Sequence, residues 1–172
     1  QGQEMIETNQ FSDQRPVDWT RTNTWAGIVR LYQDLIRLRR NLDGSTEGLR
    51  GEGVSVFHVD NNDKLVAYSR WVPGTTGRAT VVVANFANAT RAQYPLAFPE
   101  EGAWYVHFNS DSTNYCADYG HYGSEEVVAA GSPPAGCVDI APYSALVLSR
   151  VPRTGMRIRE AVGRDTPAGN AD

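Results

Sequence analysis

The spacing of apolar residues changes once along this chain, and that change limits the fold more than any other feature. Between residues 24 and 41 the large apolar side chains recur every three or four positions, as on one face of an α-helix. From residue 53 onward the period becomes two, and short runs rich in Val and aromatic residues alternate with turn residues. The two patterns together predict one helix followed by an antiparallel β-sandwich or barrel.

The helical segment is predicted to begin with Thr24 as its N-cap and to stop by Gly44. Its apolar positions form one stripe, made of Trp25, Ile28, Val29, Tyr32, Leu35 and Ile36. Leu31 and Leu38 widen this stripe into a broad face. A single helix with such a face needs something to cover it. That cover is the sheet, a body outside this sequence, or both.

Eight strands are predicted, at 54–59, 64–71, 80–86, 92–98, 104–109, 126–130, 137–141 and 144–151. The first two flank a polar turn and form a hairpin. Pro95 indicates an edge strand or a bulge, because proline donates no ladder hydrogen bond. Alternation predicts that Trp104, Val106 and Phe108 share one face, and that His58 and His107 face outward.

Composition divides the chain into three parts. Residues 1–48 hold a polar loop and the helix, and residues 49–151 hold the strands. Residues 152–172 are rich in Pro, Gly, Arg and Asp and are predicted to be a loosely attached tail, with room for a short helix at 157–162.

Charge and motif content exclude several classes of function. The formal charge is −4, which argues against a nucleic-acid partner. No apolar run is long enough to cross a membrane and no signal-peptide pattern is present, so a cytoplasmic location is predicted; secretion stays open if an upstream segment carried a signal. No phosphate-binding glycine motif, metal-ligand spacing or EF-hand occurs, and no cofactor or metal is predicted.

The two cysteines, Cys116 and Cys137, leave two alternatives open. A disulfide between them would close a loop of about 20 residues and contribute roughly 3 kcal/mol in the chain-entropy model. Two free thiols in a reducing cytoplasm are the other interpretation.

The carboxylates near the start of the chain are the first candidates for chemistry. Glu4, Glu7, Asp13 and Asp18 make the loop before the helix acidic. A glycosidase needs two carboxyl groups about 5–9.5 Å apart across its substrate. Sequence spacing does not establish such a pair, so these groups are interpreted as solvated or sugar-contacting, and no catalytic residue is predicted.

Aromatic side chains are the second group of candidates, because flat rings bind the C–H faces of sugars. They are Trp71, Trp104, Tyr105, Tyr115, Tyr119 and Tyr122. The polar, tyrosine-rich loop 109–123 predicts sugar contacts at Tyr115 and Tyr119, with packing over the sheet end as the alternative. For the two tryptophans, core packing is the favoured interpretation.

Six segments of the sequence together resemble parts of one family of enzymes whose catalytic domain is a barrel. GQE at 2–4 and DW at 18–19 resemble the segment after the eighth barrel strand, and LIRLRRN at 35–41 resembles the last barrel helix. VVVANFAN at 81–88, YPLAFPEEGAWYVHFNSDSTNY at 94–115 and IAPYSALVLSRV at 140–151 resemble the C-terminal β domain, most closely that of 1,4-α-glucan branching enzymes. The family that these segments resemble is glycoside hydrolase family 13, the α-amylase superfamily. Met5 departs from the GNEF or GQEF of its branching enzymes.

This resemblance implies the end of a (β/α)₈ barrel joined to a mainly β, antiparallel sandwich, acting on α-1,4-linked glucan. The family's nucleophile, acid/base and stabilising carboxylates precede the first residue of this sequence, so none is assigned. Glu4, Glu7, Asp18 and Trp19 are expected at the rim of the active-site cleft. The implied partners are an α-glucan and an upstream catalytic barrel.

The function expected is therefore that of a C-terminal fragment of a branching enzyme or α-amylase, which supports the barrel. Two alternatives stay open. One is a stand-alone carbohydrate-binding sandwich that uses loop 109–123. The other is a structural domain that docks a partner through the helix face.

Overall fold

The computed structural model describes residues 2–10 and 12–153. The helical segments are a 3-10 turn at Gln3–Met5, α1 at Arg21–Thr24, α2 at Ala26–Arg40 and a second 3-10 turn at Glu47–Arg50. The strands are β1 Gly53–Asp60, β2 Leu65–Trp71, β3 Thr80–Asn85, β4 Arg91–Ala97, β5 Gly102–Asn109, β6 Glu126–Ala129, β7 Ala135–Ile140 and β8 Ala145–Ser149. All eight predicted strands are present. The predicted helix at 157–162 lies outside the described residues.

The strands form two antiparallel sheets, which confirms the predicted sandwich. The larger has six strands in the order β1-β2-β3-β8-β5-β6, and the smaller pairs β4 with β7. The main core lies between them and includes Leu65, Val81, Trp104, Ile140 and Leu148, all fully or almost fully buried. Burial of these side chains is the main stabilising contribution to the sandwich.

Helix α2 packs on the opposite face of the larger sheet. Leu38 forms a second apolar cluster there with Val82, Phe108 and Val147. The middle of the sheet is therefore covered on both sides, which explains why β3 is an almost continuous β-branched run rather than an alternating one.

The start of α2 differs from the prediction. Asp18 accepts hydrogen bonds from the Thr20 backbone N–H (3.0 Å) and hydroxyl (2.6 Å), and this leads directly into α1. Thr24 is thus the last residue of α1, and Trp25 precedes α2 without a side-chain cap. At the other end Asn41, with φ of 54°, ends the helix before Gly44 is reached.

Two β-bulges change which face the neighbouring side chains occupy. An extra residue at His107 shifts the pairing of β5 with β8, so Val106 faces the main core and Phe108 faces α2. The prediction that Phe108 shares the face of Trp104 is therefore wrong. A similar bulge at Phe57 turns His58 toward the smaller sheet, where its Nε2 lies 2.9 Å from the Tyr94 hydroxyl, so His58 does not face outward.

Pro95 lies in a strand that is an edge, as predicted. Among the described strands β4 pairs only with β7, and its register shifts between Arg91 and Tyr94, where Gln93 has φ of 49°. Proline is tolerated there because one side of the strand has no ladder partner.

Candidate functional site

Glu7 organises the N-terminal loop, which we define as residues 2–19. Its carboxylate accepts hydrogen bonds from the Asn9 backbone N–H (3.0 Å), the Asn9 side-chain amide (2.9 Å) and the Asp18 backbone N–H (3.2 Å). These bonds, with that from Asn9 first, lower the pKa of Glu7 below its ordinary value. Glu7 therefore joins the two ends of this loop.

Arg21 fastens the same loop to the beginning of the helices. Its guanidinium donates to the backbone carbonyls of Met5 (3.3 Å) and Ile6. The carboxylates of Glu7 and Asp18 are thus engaged by hydrogen bonds, that of Glu7 within the loop and that of Asp18 with Thr20 just after it. Glu4 and Trp19 are not: Trp19 is 68% exposed, and neither side chain makes a hydrogen bond within residues 2–10 and 12–153.

Tyr115 joins loop 109–123 to α2. Its hydroxyl donates to Asp34 Oδ2 at 2.8 Å, and its ring lies 5.8 Å from that of Phe108. Burial, with the Asp34 carboxylate next, raises the pKa of Tyr115. The Tyr115 hydroxyl is therefore already used in holding the helix to the sheet domain.

The backbone of the same loop comes unusually close to α2 at Gly27. A Cβ placed there would lie 1.7 Å from the Tyr115 carbonyl oxygen. Three residues further along, Arg30 donates to the Asn114 carbonyl at 2.9 Å. Sequence reasoning missed Gly27 and Asp34, and a glycine inside a helical pattern was the one available signal.

A polar cavity of about 350 Å³ lies beside this junction, between α2 and the end of β5. His107 lines it, and its Nε2 is 2.9 Å from the Ser149 hydroxyl. Burial, with the nearby Arg153 next, lowers the pKa of His107 to about 4. His107 is therefore a neutral, largely enclosed side chain at neutral pH.

Tyr119, the other predicted sugar contact of the loop, is 40% exposed. Among the described residues no hydrogen bond or ring contact joins loop 109–123 to Glu4, Glu7 or Trp19. The role of each predicted site residue in binding sugar therefore stays a prediction.

The remaining candidates have simple structural explanations. Trp104 is fully buried and donates to the Glu100 carbonyl at 3.0 Å, so it is a core anchor. Cys116 is half-buried, Cys137 is exposed, and both are free thiols, so the alternative with a disulfide is not realised here. Within residues 2–10 and 12–153 no helix is long and apolar enough to cross a bilayer.

Comparison with known families identifies the sandwich. The model of the family described as "Alpha amylase, C-terminal all-beta domain" matches residues 56–151, which is more than half of the chain. The chain belongs to this family. The match begins inside β1 and ends just after β8, so it covers the sandwich and leaves the N-terminal loop and α2 outside.

Similarity to longer proteins extends beyond the family domain. The 1,4-alpha-glucan branching enzyme GlgB of Nocardia farcinica is 27% identical over 156 residues, which cover 86% of this chain and 21% of that protein. The corresponding enzyme of Pseudomonas syringae is 29% identical over 157 residues, again 86% of this chain and 21% of that protein. This chain thus spans about a fifth of the length of these curated relatives, and the resemblance to branching enzymes is confirmed.

Solved structures show the same fold. The type I pullulanase of Bacillus subtilis, solved with maltose, superposes with a TM-score of 0.54 at 14% identity, covering 86% of this chain and 20% of that one. The pullulanase of Bacillus acidopullulyticus gives 0.51 at 14% identity, covering 87% and 18%. In both cases a structure like this all-beta domain forms a small part of a much longer chain.

Proposed function

We propose that this chain is the C-terminal portion of an α-1,4-glucan-active enzyme of the branching type, in which it completes and supports a catalytic barrel. The observation that carries this proposal is the two-sided character of α2. One side packs on the sheet domain through Leu31 and Leu38. The other side is apolar and lies open to solvent.

The solvent-exposed side of α2 carries more large apolar side chains than the surface of a soluble domain usually does. Trp25, Tyr32, Leu35 and Ile36 are 38%, 40%, 39% and 53% exposed. They recur at the spacing of one helix face, and contiguous apolar surface of this kind marks an interaction site. The occupant we propose is the rest of the barrel, because the branching-enzyme similarity covers 86% of the chain and leaves most of each relative's length outside it.

The edge strand β1 adds further apolar surface. Val54, Val56 and Val59 are each about 60% exposed. They pair with Arg70, Tyr68 and Val66, and Tyr68 packs in the cluster under α2, so the three valines point to the helix side of the larger sheet. We propose that they also face the barrel.

Glu4 and Trp19 are the residues we propose for contact with an α-glucan. The ring of Trp19 is exposed to solvent. Glu4 lies on the same loop, and its carboxylate makes no hydrogen bond to the described residues. Glu7 and Asp18 act by holding that loop in shape. We also propose a cytoplasmic location, in which Cys116 and Cys137 remain reduced.

A chimeric enzyme tests the barrel contact. The segment of the Nocardia farcinica branching enzyme that matches this chain is replaced by residues 1–172, and branching is followed by the loss of the amylose–iodine colour. We expect activity in the chimera and a loss of at least tenfold in a Leu35→Glu, Ile36→Glu double variant, because two charges would be buried against the barrel.

Val128→Glu is the matched control, since Val128 is 64% exposed on β6, at the far edge of the larger sheet from β1. The control should keep the activity of the chimera. Equal activity in all three proteins, with the double variant folded, would refute the barrel-facing role of α2.

A further inference from the structure

We infer that the sandwich carries a saccharide site of its own, separate from Glu4 and Trp19, in a cavity between β1, β2 and the end of β4. We infer that this site binds a segment of an α-glucan. The cavity measures about 430 Å³ and is lined by residues of β1 and β2, by the segment at 75–79 after β2, and by the end of β4 with the residues that follow it. Its size is within the range of small-molecule sites in proteins. It shares no lining residue with the N-terminal loop or with the cavity beside α2.

Three aromatic rings give this cavity its apolar walls. Phe57 and Trp71 come from β1 and β2, and Phe98 follows β4. All three also pack against the main core, which holds them in place before any ligand arrives. A preformed aromatic wall of this kind suits the C–H face of a pyranose ring.

Trp71 is fixed from one side. Gly53 is its partner across the ladder, and a Cβ at Gly53 would lie 2.5 Å from the indole Cε2. The indole therefore rests directly on the Gly53 backbone. Its Nε1 makes no hydrogen bond to any described residue, so a donor remains available at the cavity.

Ser69 supplies the observation that favours a polar ligand. It is 4% exposed, lines the cavity, and its hydroxyl has no hydrogen-bond partner among residues 2–10 and 12–153. The hydroxyl oxygen of Ser69 is not among the fully buried side-chain atoms that lack a partner, so it is reachable from the cavity and can bond to a polar ligand there. Ser55 lies directly opposite on β1 and lines the same cavity, so two hydroxyls stand side by side next to the Trp71 ring.

The charges at the cavity argue for a neutral ligand. Glu100 is the one ionisable residue among those that line it, and its Oε2 is paired with Arg150 at 2.6 Å. No lysine or arginine lines the wall, so a phosphate or other anion would find no counter-charge. Aromatic rings, hydroxyls and a carboxylate that accepts hydrogen bonds are the groups that bind an uncharged polyhydroxylated molecule.

The saccharide class rests on the cavity alone, whereas the choice of an α-glucan rests on the proposed function. Maltoheptaose is therefore titrated into the ¹⁵N-labelled 172-residue chain, with cellohexaose as the comparison sugar. The chain has four tryptophans, so the indole N–H signal of Trp71 is assigned with Trp71→Phe. We expect a saturable shift of that signal with maltoheptaose.

Two variants locate the site. Ser69→Ala removes the hydroxyl without adding volume, and we expect maltoheptaose to bind about five- to tenfold more weakly. Val128→Ala alters an exposed side chain on β6 that does not line the cavity, and it should leave the affinity unchanged. Spectra without sugar establish that both variants are folded.

The following outcomes would overturn the inference: no saturable shift at Trp71, an unchanged affinity in Ser69→Ala, or an equal loss in Val128→Ala. Binding of cellohexaose equal to that of maltoheptaose would overturn the α-glucan assignment. Because the titration uses this chain without a barrel, a negative result here leaves the result of the chimera untouched, and the reverse holds as well.

Discussion

The Tyr115 hydroxyl donates a 2.8 Å hydrogen bond to Asp34 Oδ2, across 81 residues of sequence. This bond joins the loop after β5 to the middle of α2. With the contact of Leu38 on Phe108, it fixes one side of the helix against the sandwich and so determines which side stays open.

Removing the Tyr115 hydroxyl should weaken this junction. In Tyr115→Phe we expect the free energy of unfolding to fall by about 1–2 kcal/mol, because Asp34 loses its donor while its carboxylate remains partly buried. Tyr119→Phe, at an exposed tyrosine of the same loop, should change it by less than about 0.5 kcal/mol. Urea unfolding of the three proteins measures the difference, and equal losses in both variants would contradict the role given to the bond.

Gly27 should not tolerate a side chain, although it lies in a helix. Alanine normally favours a helix by about 1 kcal/mol over glycine. Here its Cβ would meet the Tyr115 carbonyl oxygen at 1.7 Å, so the helix or the loop must move. We expect Gly27→Ala to destabilise the chain by about 2 kcal/mol or more.

Gln33→Ala, at an exposed position of the same helix, is the control for helix propensity. It should leave the melting temperature the same or slightly higher. A Gly27→Ala variant as stable as the parent chain would show that α2 does not approach loop 109–123 this closely.

His107 should make the chain less stable in mild acid. Its pKa is about 4 in the folded state and about 6.5 in an unfolded chain, so the unfolded state binds the proton more readily. The neutral ring therefore contributes stability above pH ~6.5 that is lost as the pH falls toward ~4. Allowing for partial solvation, the loss is on the order of 1–2 kcal/mol.

Urea unfolding at pH 7 and pH 5 tests this effect. The free energy of unfolding should fall less between these two pH values in His107→Gln than in the parent chain. His121→Gln serves as the comparison, because its ring also lines the cavity but its Nδ1 contact with Ser112 is longer, at 3.2 Å. A parent chain and a His107→Gln variant with the same pH dependence would contradict the prediction.

Glu7 should control the order of the N-terminal loop. Glu7→Gln weakens the bonds from the Asn9 and Asp18 backbone N–H groups, so their amide hydrogens should exchange faster with solvent. Glu4→Gln, whose carboxylate accepts no bond from the described residues, should leave exchange at both positions unchanged. Because hydrogen bonds lower the pKa of Glu7, the loop should stay ordered above its ordinary pKa and loosen as the pH falls below it.

Both cysteines should react as free thiols, at different rates. Cys137 is exposed and should be labelled by a thiol reagent within the native state, whereas the half-buried Cys116 should react more slowly. Cys137→Ser should remove the fast phase and leave the slow one. Absence of reactive thiol in the unfolded, unreduced chain would show instead that the two are bonded.

The strands were accessible to sequence reasoning because their signals are local. Alternating apolar residues and turn residues mark each strand within a few positions, and all eight were found. The start of α2 was missed because Asp18 and Thr20 begin a short helix one turn earlier, which makes Thr24 part of it. Phe108 was assigned to the wrong face because a one-residue bulge at His107 leaves no mark in the alternation.

The candidate sites divide in the same way. Residue types pointed to Trp19, Tyr115 and Tyr119 as sugar contacts. Only contacts between residues distant in sequence show which of these side chains is exposed and which is held by another part of the chain. Trp19 is free, whereas Tyr115 is held by Asp34. The cavity beside Ser69 had no sequence signal, because its lining combines β1 and β2 with residues 97–100, which lie far along the chain.

Periodicity and turn chemistry, which depend on neighbours in the chain, were enough to determine a helix followed by an antiparallel sandwich, and the resemblance of particular sequence segments indicated the family. The tertiary structure alone decided which side of α2 is covered, which tyrosine is free, and where a cavity remains. Those features depend on how two sheets of unequal width and one helix meet, and the residues that meet there are far apart in the sequence.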